Sequence, residues 1–406
     1  MSSLLSRIVT SDAPIAIVRR GAGVEVMTGD FFDVARLADI PLTNTPVLAL
    51  VPFRQVVERG FEAVDDGTPL RVLKVAEREV LSVAETLAIL PATTPALANP
   101  HFDIPDEEYS RIVQAVVDEE IGRGEGANFV LHRSFLGTVA PQSEQEAPPE
   151  QIHPHPRKSQ RTTVLAYFAA LLREEEGAYW TFAVDIGGVA FAGASPERHL
   201  TIRDSLVTMN PISGTYRHPD TGADIPGLLT FLTDGKEVDE LFMVVDEELK
   251  LMSAICPDGG QVVGPFLKPM SRVTHTEYLL EGQSDLDPRE ILRQTMFAPT
   301  VTGAPMANAC RIVKRLEGRG RGYYAGVMAL FEPGPHGFDL DAPILIRTAY
   351  IGQDGTLRLP VGATIVRNSD PRAEAAETAS KAAGMVAAIS SKDDGDATSR
   401  SAAAPA

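Results

Sequence analysis

The sequence is poor in cysteine and tryptophan and has no long apolar run. The 406 residues include only two cysteines, Cys256 and Cys310, and one tryptophan. Two cysteines cannot form the disulfide framework that stabilises small secreted proteins. The first twenty residues lack the uninterrupted apolar run of a signal peptide, and no segment is apolar for long enough to cross a bilayer. These absences predict a cytoplasmic protein without a membrane partner.

Basic residues are also scarce. The chain has 37 Lys and Arg against 55 Asp and Glu, which gives a formal net charge of −18. Nucleic acids and anionic membranes both attract clustered Lys and Arg, so neither is an expected partner. An anionic substrate would have to be held by positive charge concentrated at one site. No Walker loop or Gly-x-Gly-x-x-Gly motif is present, and nucleotide chemistry is therefore not predicted.

What the chain does contain is an apolar content of 44%, ordinary for a folded protein, arranged in many short strands. Residues 1–105 are β-rich, and later strands are separated by turn signals at Gly187-Gly188 and Arg203-Asp204. Strands and helices do not alternate strictly, which favours an α+β fold with large antiparallel sheets. We interpret 1–105 as part of the same fold as a catalytic core over 106–390. The low-complexity segment 391–406 is predicted to be a disordered tail or linker remnant.

Two pairs of glutamates, each three residues apart, occur on predicted helices far apart in the chain. They are Glu237 and Glu240, and Glu374 and Glu377. Residues at i and i+3 share a helix face, so two such edges brought together would repel unless a cation lay between them. All-oxygen ligation with exchangeable waters suits Mg²⁺. A single pair of this kind is more often a solvated helix face, so the case depends on other residues.

Residues in three further motifs carry chemistry of a compatible kind. Arg347 is the only charge in ILIRTAYI, predicted to be a buried strand, and needs either a structural carboxylate or a carboxylate ligand. Gly214 and Thr215 in PISGTYRH offer a backbone N–H and a hydroxyl to a second carboxylate. Glu197 in GASPERH, at the end of a hairpin strand, could act as a general acid if burial raised its pKa; a solvated glutamate is the alternative.

The order of motifs SPE, PISGT, KExxE, THTEY, PTVTGAP, RGYYAG, ILIRTA, VGATIV and SDPxAExxE resembles the chorismate-utilising enzymes. This family includes anthranilate, aminodeoxychorismate, isochorismate and salicylate synthases. The resemblance covers roughly residues 106–389 and implies a sandwich of large antiparallel sheets flanked by helices. The N-terminal stretch is most similar to the phenazine-pathway branch, which makes 2-amino-2-deoxyisochorismate from chorismate and ammonia.

The resemblance implies a role for each motif residue. Glu240 and Glu377 would ligate Mg²⁺, supported directly or through water by Glu237 and Glu374, and the ion would grip the ring carboxylate of chorismate. The remaining implied residues surround the substrate. Those near the ring carboxylate are Gly214 and Thr215; those that hold the enolpyruvyl carboxylate are Arg347 and Tyr324; Gly362 in VGATIV belongs to the same substrate-binding set.

The resemblance also implies the chemistry. Glu197 would protonate the departing C4 hydroxyl while a nucleophile adds at C2, and His275 and Thr300 would line the ring. Water-adding members carry a lysine base on the strand that contains GEGANFVLHRSF, and here Asn128 takes that position. An amide cannot deprotonate water, so amination is favoured over isochorismate formation.

Alternatives remain open at this point. The histidine that matches His275 is linked in anthranilate synthases to loss of pyruvate. An anthranilate synthase component I is therefore the second interpretation, although Thr364, Met306 and DEELKLM depart from the pattern of that branch. An isochorismate synthase or a non-catalytic subunit is a weaker alternative. Neither Cys256 nor Cys310 has the setting of a glutamine amidotransferase nucleophile, which is a glycine-flanked turn with a His-Glu pair. Ammonia would therefore come free or from a separate glutamine amidotransferase, and a homodimer is left open.

Overall fold

The computed structural model describes residues 3–92, 95–140, 156–219, 224–270 and 273–390. Within these ranges, the backbone alone is described at positions 140, 156–159, 236, 239, 240 and 388–390. The predicted tail over 391–406 lies outside the described residues. Within the described ranges, the α-helices are α1 (Leu4–Ile8), α2 (Val83–Ile89), α3 (Asp106–Ala115), α4 (Pro156–Glu174), α5 (Ile225–Leu232), α6 (Gly235–Ile255), α7 (Pro288–Thr295), α8 (Met306–Glu317) and α9 (Pro371–Ser390). Leu37–Asp39 and Phe53–Arg59 form 3-10 helices, and Val116–Ile121 extends α3 as a π-helical turn.

The strands fall into an earlier and a later group. The earlier group is β1 (Ile15–Arg20), β2 (Gly23–Val34), β3 (Val47–Val51), β4 (Leu70–Ser82), β5 (Ala96–Phe102), β6 (Asn128–Ala140), β7 (Trp180–Ile186), β8 (Val189–Ser195) and β9 (Arg198–Arg203). The later group is β10 (Leu206–Asn210), β11 (Ile212–Arg217), β12 (Gly260–Pro269), β13 (Val273–Gln283), β14 (Gly303–Ala304), β15 (Val327–Gly334), β16 (Gly337–Pro343), β17 (Thr348–Ile351) and β18 (Thr356–Val366).

Antiparallel pairing joins these strands into one continuous ladder. Its order is β12-β13-β10-β9-β16-β15-β3-β4-β2-β1-β7-β8-β17-β18-β6-β5, with β11 also paired to β13 and β14 to β6. The N-terminal strands β1 to β4 thus lie in the middle of the ladder, between β15 and β7. The predicted α+β fold with large antiparallel sheets is confirmed.

Side-chain alternation along the strands creates a layered sandwich. In β1, Ala16 and Val18 point into an inner core that also holds Trp180 and Phe182 of β7. Ile15 and Ile17 point the other way, into an outer core shared with α1, α2, α4 and α9. A second outer core packs α3, α6, α7 and α8 against the far face of β3, β9, β10, β15 and β16. Because successive side chains on a strand face opposite sides, each strand can serve two cores.

Both predicted glutamate helices form, as α6 and α9, and the predicted hairpin at Gly187-Gly188 joins β7 to β8. One local prediction is wrong. Arg347 does not lie in a strand, because β17 begins only at Thr348 and the backbone at Arg347 has φ of +51°. No helix in the described residues combines the length and apolar character that crossing a membrane requires.

Candidate active site

One cavity, of about 740 Å³ including its mouth, gathers most of the residues singled out from the sequence. Its walls come from strands β6, β11, β13 and β18, from the segments that follow β8 and precede β14, β15 and β17, and from helices α6 and α9. The residues predicted from the sequence that line this cavity are Glu197, Thr215, His275, Thr300, Tyr324, Arg347, Gly362 and Glu377.

Glu197 lies in the tight connection between β8 and β9 and is only 4% exposed. The Thr300 hydroxyl donates a hydrogen bond to its Oε1 at 2.7 Å, and the backbone N–H of Ile212 also donates to its carboxyl group. Burial raises the pKa of Glu197 to about 7, because these two neutral donors only partly offset the loss of hydration. A large fraction of Glu197 therefore carries a proton at neutral pH, as a general acid must.

Two cationic side chains face the same cavity. Arg347 is held there by the turn that precedes β17, and burial lowers the pKa of its guanidinium. Lys381 of α9 donates to the carbonyl oxygen of Gly362 at 2.8 Å, and its Nζ lies 2.6 Å from Oε1 of Glu377. In a chain of net charge −18, these two side chains concentrate positive charge at one cavity, and Glu377 offsets part of that charge through its ion pair with Lys381.

His275 is buried on β13 and belongs to a small polar cluster with β11. Its Nδ1 lies 3.1 Å from the hydroxyl oxygen of Thr215 and 3.3 Å from the carbonyl oxygen of Gly214. Burial, reinforced by the positive charge of Arg347, lowers the pKa of His275 to about 3, so its imidazole is neutral at physiological pH. Its Nε2 is buried and has no hydrogen-bond partner among the described residues.

Gly214 differs from the prediction in one respect. Its backbone N–H donates to the hydroxyl of Thr276 at 3.1 Å, so the donor assigned to a substrate carboxylate is already used within the protein. Gly214 does not itself line the cavity. The absence of a side chain nevertheless matters, because a Cβ at this position would lie 2.5 Å from Oε2 of Glu237. Gly214 therefore makes room for a carboxylate of α6.

Tyr324 and Gly362 make a second close contact. A Cβ on Gly362 would lie 2.6 Å from the Tyr324 hydroxyl oxygen, so glycine is required for this tyrosine to reach the cavity. Burial raises the pKa of Tyr324 to about 12, which keeps its hydroxyl a hydrogen-bond donor. The imidazole of His132 packs behind it, with ring centroids 5.0 Å apart.

A buried ion cluster, not found from the sequence, supports this wall. Glu317 accepts hydrogen bonds from Arg321 at 2.6 and 2.9 Å, and its Oε2 lies 2.8 Å from Nδ1 of His132. Arg321 also donates to the carbonyl oxygens of Val130 and Val301, two residues that line the cavity. Burial alone would raise the pKa of Glu317, but Arg321 and His132 hold it well below its usual range.

The structure describes the side chains of three of the four glutamates of the predicted metal site. Glu374 is 1% exposed, Glu377 lines the cavity, and Glu237 lies against Gly214, whereas the side chain of Glu240 is outside the described residues. Among the described side chains, no group of three or more metal-ligating residues lies close together. Carboxylate oxygens from two helices that both reach the cavity are donors of the kind that a hard divalent cation takes, and Glu377 would have to exchange its ion pair with Lys381 for the metal.

Asn128 begins β6 and is 1% exposed, and both polar atoms of its amide lack a hydrogen-bond partner in the described part of the chain. It does not line the cavity itself. Val130, which does, lies two residues further on the same face of β6. A buried amide at this place has hydrogen-bonding capacity to offer a small polar molecule, but no basic nitrogen.

Sequence reasoning missed two polar residues of the cavity, Lys381 and Ser213. Lys381 lies four residues after Glu377 on α9, and this i to i+4 spacing was a usable signal. Ser213 lies inside the PISGT motif beside Gly214, and its Oγ is buried without a hydrogen-bond partner among the described residues. No property of the sequence separates Ser213 from an ordinary strand serine.

Comparison with known proteins agrees with this geometry. Residues 75–387 match the family described as chorismate binding enzyme. The chain is 46% identical over 400 residues to the phenazine-specific anthranilate synthase of Pseudomonas chlororaphis, covering 95% of this chain and 60% of that protein. It thus spans about three fifths of the length of this curated relative.

Solved structures share the fold at low sequence identity. The menaquinone-specific isochorismate synthase MenF from Escherichia coli superposes with a TM-score of 0.72 at 20% identity, over 96% of this chain and 91% of MenF. Anthranilate synthase component I from Streptococcus pneumoniae gives 0.68 at 20% identity, over 93% of this chain and 91% of its own. With a matching family region that holds every residue lining the cavity, this chain belongs to the chorismate-binding enzymes.

Proposed function

We propose that this protein aminates chorismate at C2 to give 2-amino-2-deoxyisochorismate, in a phenazine or related secondary-metabolite pathway. The observation that carries the proposal is Glu197, a buried carboxyl group that is half protonated near pH 7 and faces a cavity with two cations. Arg347 and Lys381 supply charge for the two carboxylates of chorismate. The 46% identity to a phenazine-specific relative supports the choice of reaction.

In this proposal, the proton of Glu197 moves to the C4 hydroxyl oxygen, which leaves as water. Ammonia forms a bond to C2 as the ring double bonds shift, and a proton lost from the new ammonium group balances the one donated. Thr300 orients the Glu197 carboxyl through its 2.7 Å hydrogen bond. Water release and C–N bond formation involve no redox change, so no electron carrier is required.

We place Mg²⁺ in the proposal on the same carboxylate helices. Glu240 and Glu377 would hold it, with Glu237 and Glu374 as supporting ligands. When bound, the ion would orient a substrate carboxylate and neutralise charge that develops in the transition state. The expected result is that Glu377→Gln loses Mg²⁺-dependent turnover, measured as product formed with and without a chelator. Unchanged turnover in this variant would remove Glu377 from the metal site.

Amination rather than hydration is supported by Asn128. A lysine at this position could accept a proton from water, whereas an amide cannot, and ammonia needs no such base. The second candidate is an anthranilate synthase, which would also release pyruvate. His275 favours that candidate, because its neutral imidazole lines the cavity and its Nε2 has no hydrogen-bond partner in the described part of the chain.

The deciding experiment is mass spectrometry of the products from purified protein, chorismate, Mg²⁺ and ammonium. An aminated product that keeps its enolpyruvyl group is expected. Anthranilate with pyruvate would establish the second candidate, and isochorismate would refute amination. Repeating the assay with glutamine tests the ammonia source: turnover is expected only when a glutamine amidotransferase is added, because Cys256 and Cys310 are both buried.

A further inference from the structure

Three segments that are far apart in the chain meet beside the cavity, and each carries one residue that lines it. Glu197 follows β8, Tyr324 precedes β15 and Arg347 precedes β17. We call the three segments together the junction. They are residues 194–197, 324–327 and 344–347. The junction therefore carries the proposed general acid and the side chains assigned to the enolpyruvyl carboxylate.

Backbone hydrogen bonds connect the segments of the junction. Two of them join 344–347 to 194–197, and two join 344–347 to 324–327. In the order of donor N–H to acceptor carbonyl they are Ala194 to Arg347, Ile344 to Glu197, Leu345 to Gly326 and Ala325 to Leu345, with N···O distances between 2.8 and 3.1 Å. The segment that carries the arginine is thus bonded on one side to the acid and on the other side to the tyrosine.

The backbone of the junction has an uncommon conformation at two places. Ala325 has a φ of +62° and Arg347 a φ of +51°, in the left-handed region that is unfavourable for a residue with a Cβ. Such conformations persist only where the surrounding contacts determine the backbone strongly, and they occur preferentially at functional sites. The hydrogen bonds of the junction are contacts of this kind, so we expect its segments to be held rigidly.

Ser195 adds a side-chain link between the segment of the acid and the segment of the arginine. It is the last residue of β8 and is 0% exposed. Its Oγ donates to the carbonyl oxygen of Ile344 at 2.6 Å and accepts a long hydrogen bond of 3.4 Å from the backbone N–H of Glu197. Ser195 is not among the residues that line the cavity. Its hydroxyl can therefore act on the reaction only through the positions of other residues.

The proposed reaction requires a set distance between the acid and the arginine. In chorismate, the enolpyruvyl ether is attached to the ring carbon next to C4. An arginine that binds the enolpyruvyl carboxylate and an acid that protonates the C4 oxygen must therefore be separated by a distance that the substrate fixes. Misplacement of a catalytic group by about 1 Å can lower a rate by about 100-fold.

We propose that Ser195 is a positioning residue, whose hydroxyl fixes the separation between Glu197 and Arg347. The inference rests on the proposed function, in which Glu197 is the general acid. Without this hydroxyl, 194–197 keeps only the backbone hydrogen bonds at its two ends, whereas 344–347 is still bonded to 324–327. Placement of the acid is then lost while the side chains that bind the carboxylate stay in position.

The test compares kcat and KM for chorismate in wild type and in Ser195→Ala, which removes the hydroxyl alone. We expect kcat to fall by roughly 10-fold, while KM changes by less than about twofold, because substrate binding is retained and only the chemical step is slowed. An unchanged kcat would overturn the proposal. A rise in KM as large as the fall in kcat would also overturn it, since the arginine would then have moved as well.

Thr28→Val is the matched control, because it also removes one hydroxyl that links two segments. Thr28 is 7% exposed, and its Oγ1 donates to the carbonyl oxygen of Pro14 at the same distance of 2.6 Å. Neither residue lines the cavity. This variant should therefore leave kcat unchanged. An equal loss of kcat in Thr28→Val and Ser195→Ala would overturn the proposal, because a general loss of rigidity would explain both.

Two features of the measurement separate this proposal from the proposed function. The rate is followed as loss of chorismate, so isochorismate or anthranilate as the product would refute only the amination. Hydrogen exchange of the ligand-free full chain needs no turnover. In Ser195→Ala, peptides that contain the amides of Ala194 and Ile344 should exchange roughly tenfold faster than in wild type, and Thr28→Val should not change them. Unchanged exchange at both places would overturn the role of Ser195 even in a protein that does not consume chorismate.

Discussion

Glu197 and Glu317 are both buried carboxyl groups, the first lining the cavity and the second supporting one of its walls, yet their pKa values shift in opposite directions. Glu317 has Arg321 and His132 against it, so its pKa is far below the usual value. Glu197 has two neutral donors, Thr300 and the Ile212 N–H, and its pKa rises to about 7. Burial sets the size of the electrostatic effect, and the charge of the partner decides its direction. The ion cluster of Glu317 therefore stabilises a wall of the cavity, whereas Glu197 holds a proton that it can donate.

The largest expected effect is on turnover. Glu197→Gln keeps the shape and the hydrogen bond from Thr300 but cannot release a proton, so chorismate amination should fall by about 10²- to 10⁴-fold. The free energy of unfolding at pH 7 should not fall, because an amide avoids the cost of burying a charge. Steady-state kinetics with a urea unfolding curve measures both. Glu119→Gln, at an exposed residue, should change neither, and near-normal turnover of Glu197→Gln would assign the acid to another group.

Glu317→Gln should show the reverse pattern. Removing one member of a buried ion cluster leaves Arg321 without its charge partner, which costs about 3–5 kcal/mol of unfolding free energy. Urea unfolding monitored by circular dichroism gives this value directly. The chemical step of the molecules that remain folded should be affected less than in Glu197→Gln. A loss of turnover at full stability would contradict the contrast between the two acids.

The two acids should also act on stability in separate pH ranges. Glu197 binds its proton more tightly folded than unfolded, so its contribution to unfolding free energy decreases as pH rises from about 4.5 to about 7. Glu317 binds its proton less tightly when folded, so its contribution is full above pH 4.5 and is lost as pH falls below that value. Unfolding curves across pH should lose the first slope in Glu197→Gln and the second in Glu317→Gln. Identical slopes in wild type and both variants would contradict these pKa directions.

The smallest effect is expected at Ser213, a neutral group in the same cavity. Its Oγ, which has no hydrogen-bond partner among the residues that the structure describes, can bond a ligand, so Ser213→Ala should weaken chorismate binding by about 1 kcal/mol, the usual net value of one hydrogen bond. Stability should stay the same or rise slightly. Isothermal titration calorimetry with chorismate in the absence of ammonia measures the change. Unaltered affinity would show that this hydroxyl does not contact the substrate.

The sequence predicted the parts of the site that reside in local motifs. The α+β fold, the two glutamate helices and the place of Glu197 at the end of a hairpin strand were all readable from spacing and turn signals. Arg347 was wrongly predicted to lie in a strand, because apolar neighbours on both sides are typical of a buried turn as well as of a buried strand. Only the backbone φ of +51° distinguishes the two. The acid cluster of Glu317 could not be predicted, because His132 and Glu317 are 185 residues apart.

Ser213 shows a further limit of reading the sequence. It belongs to a segment with an ordinary strand pattern, and what distinguishes it is an atom left without a hydrogen-bond partner among the described residues after the chain has folded. Such an atom exists only once several elements have packed together. Lys381 was within reach of sequence reasoning, since its spacing from Glu377 matches one helical turn.

The central position of β1 to β4 in the ladder has a consequence for synthesis on the ribosome. Their neighbours in the ladder, β7 and β15, end only at Ile186 and Gly334. More than a hundred further residues must therefore be translated before one edge of β1 and one edge of β3 can be paired. Exposed strand edges are prone to intermolecular association. A nascent chain stopped before residue 180 should therefore bind chaperones or aggregate, whereas release of the full chain allows β1 and β3 to be paired on both sides.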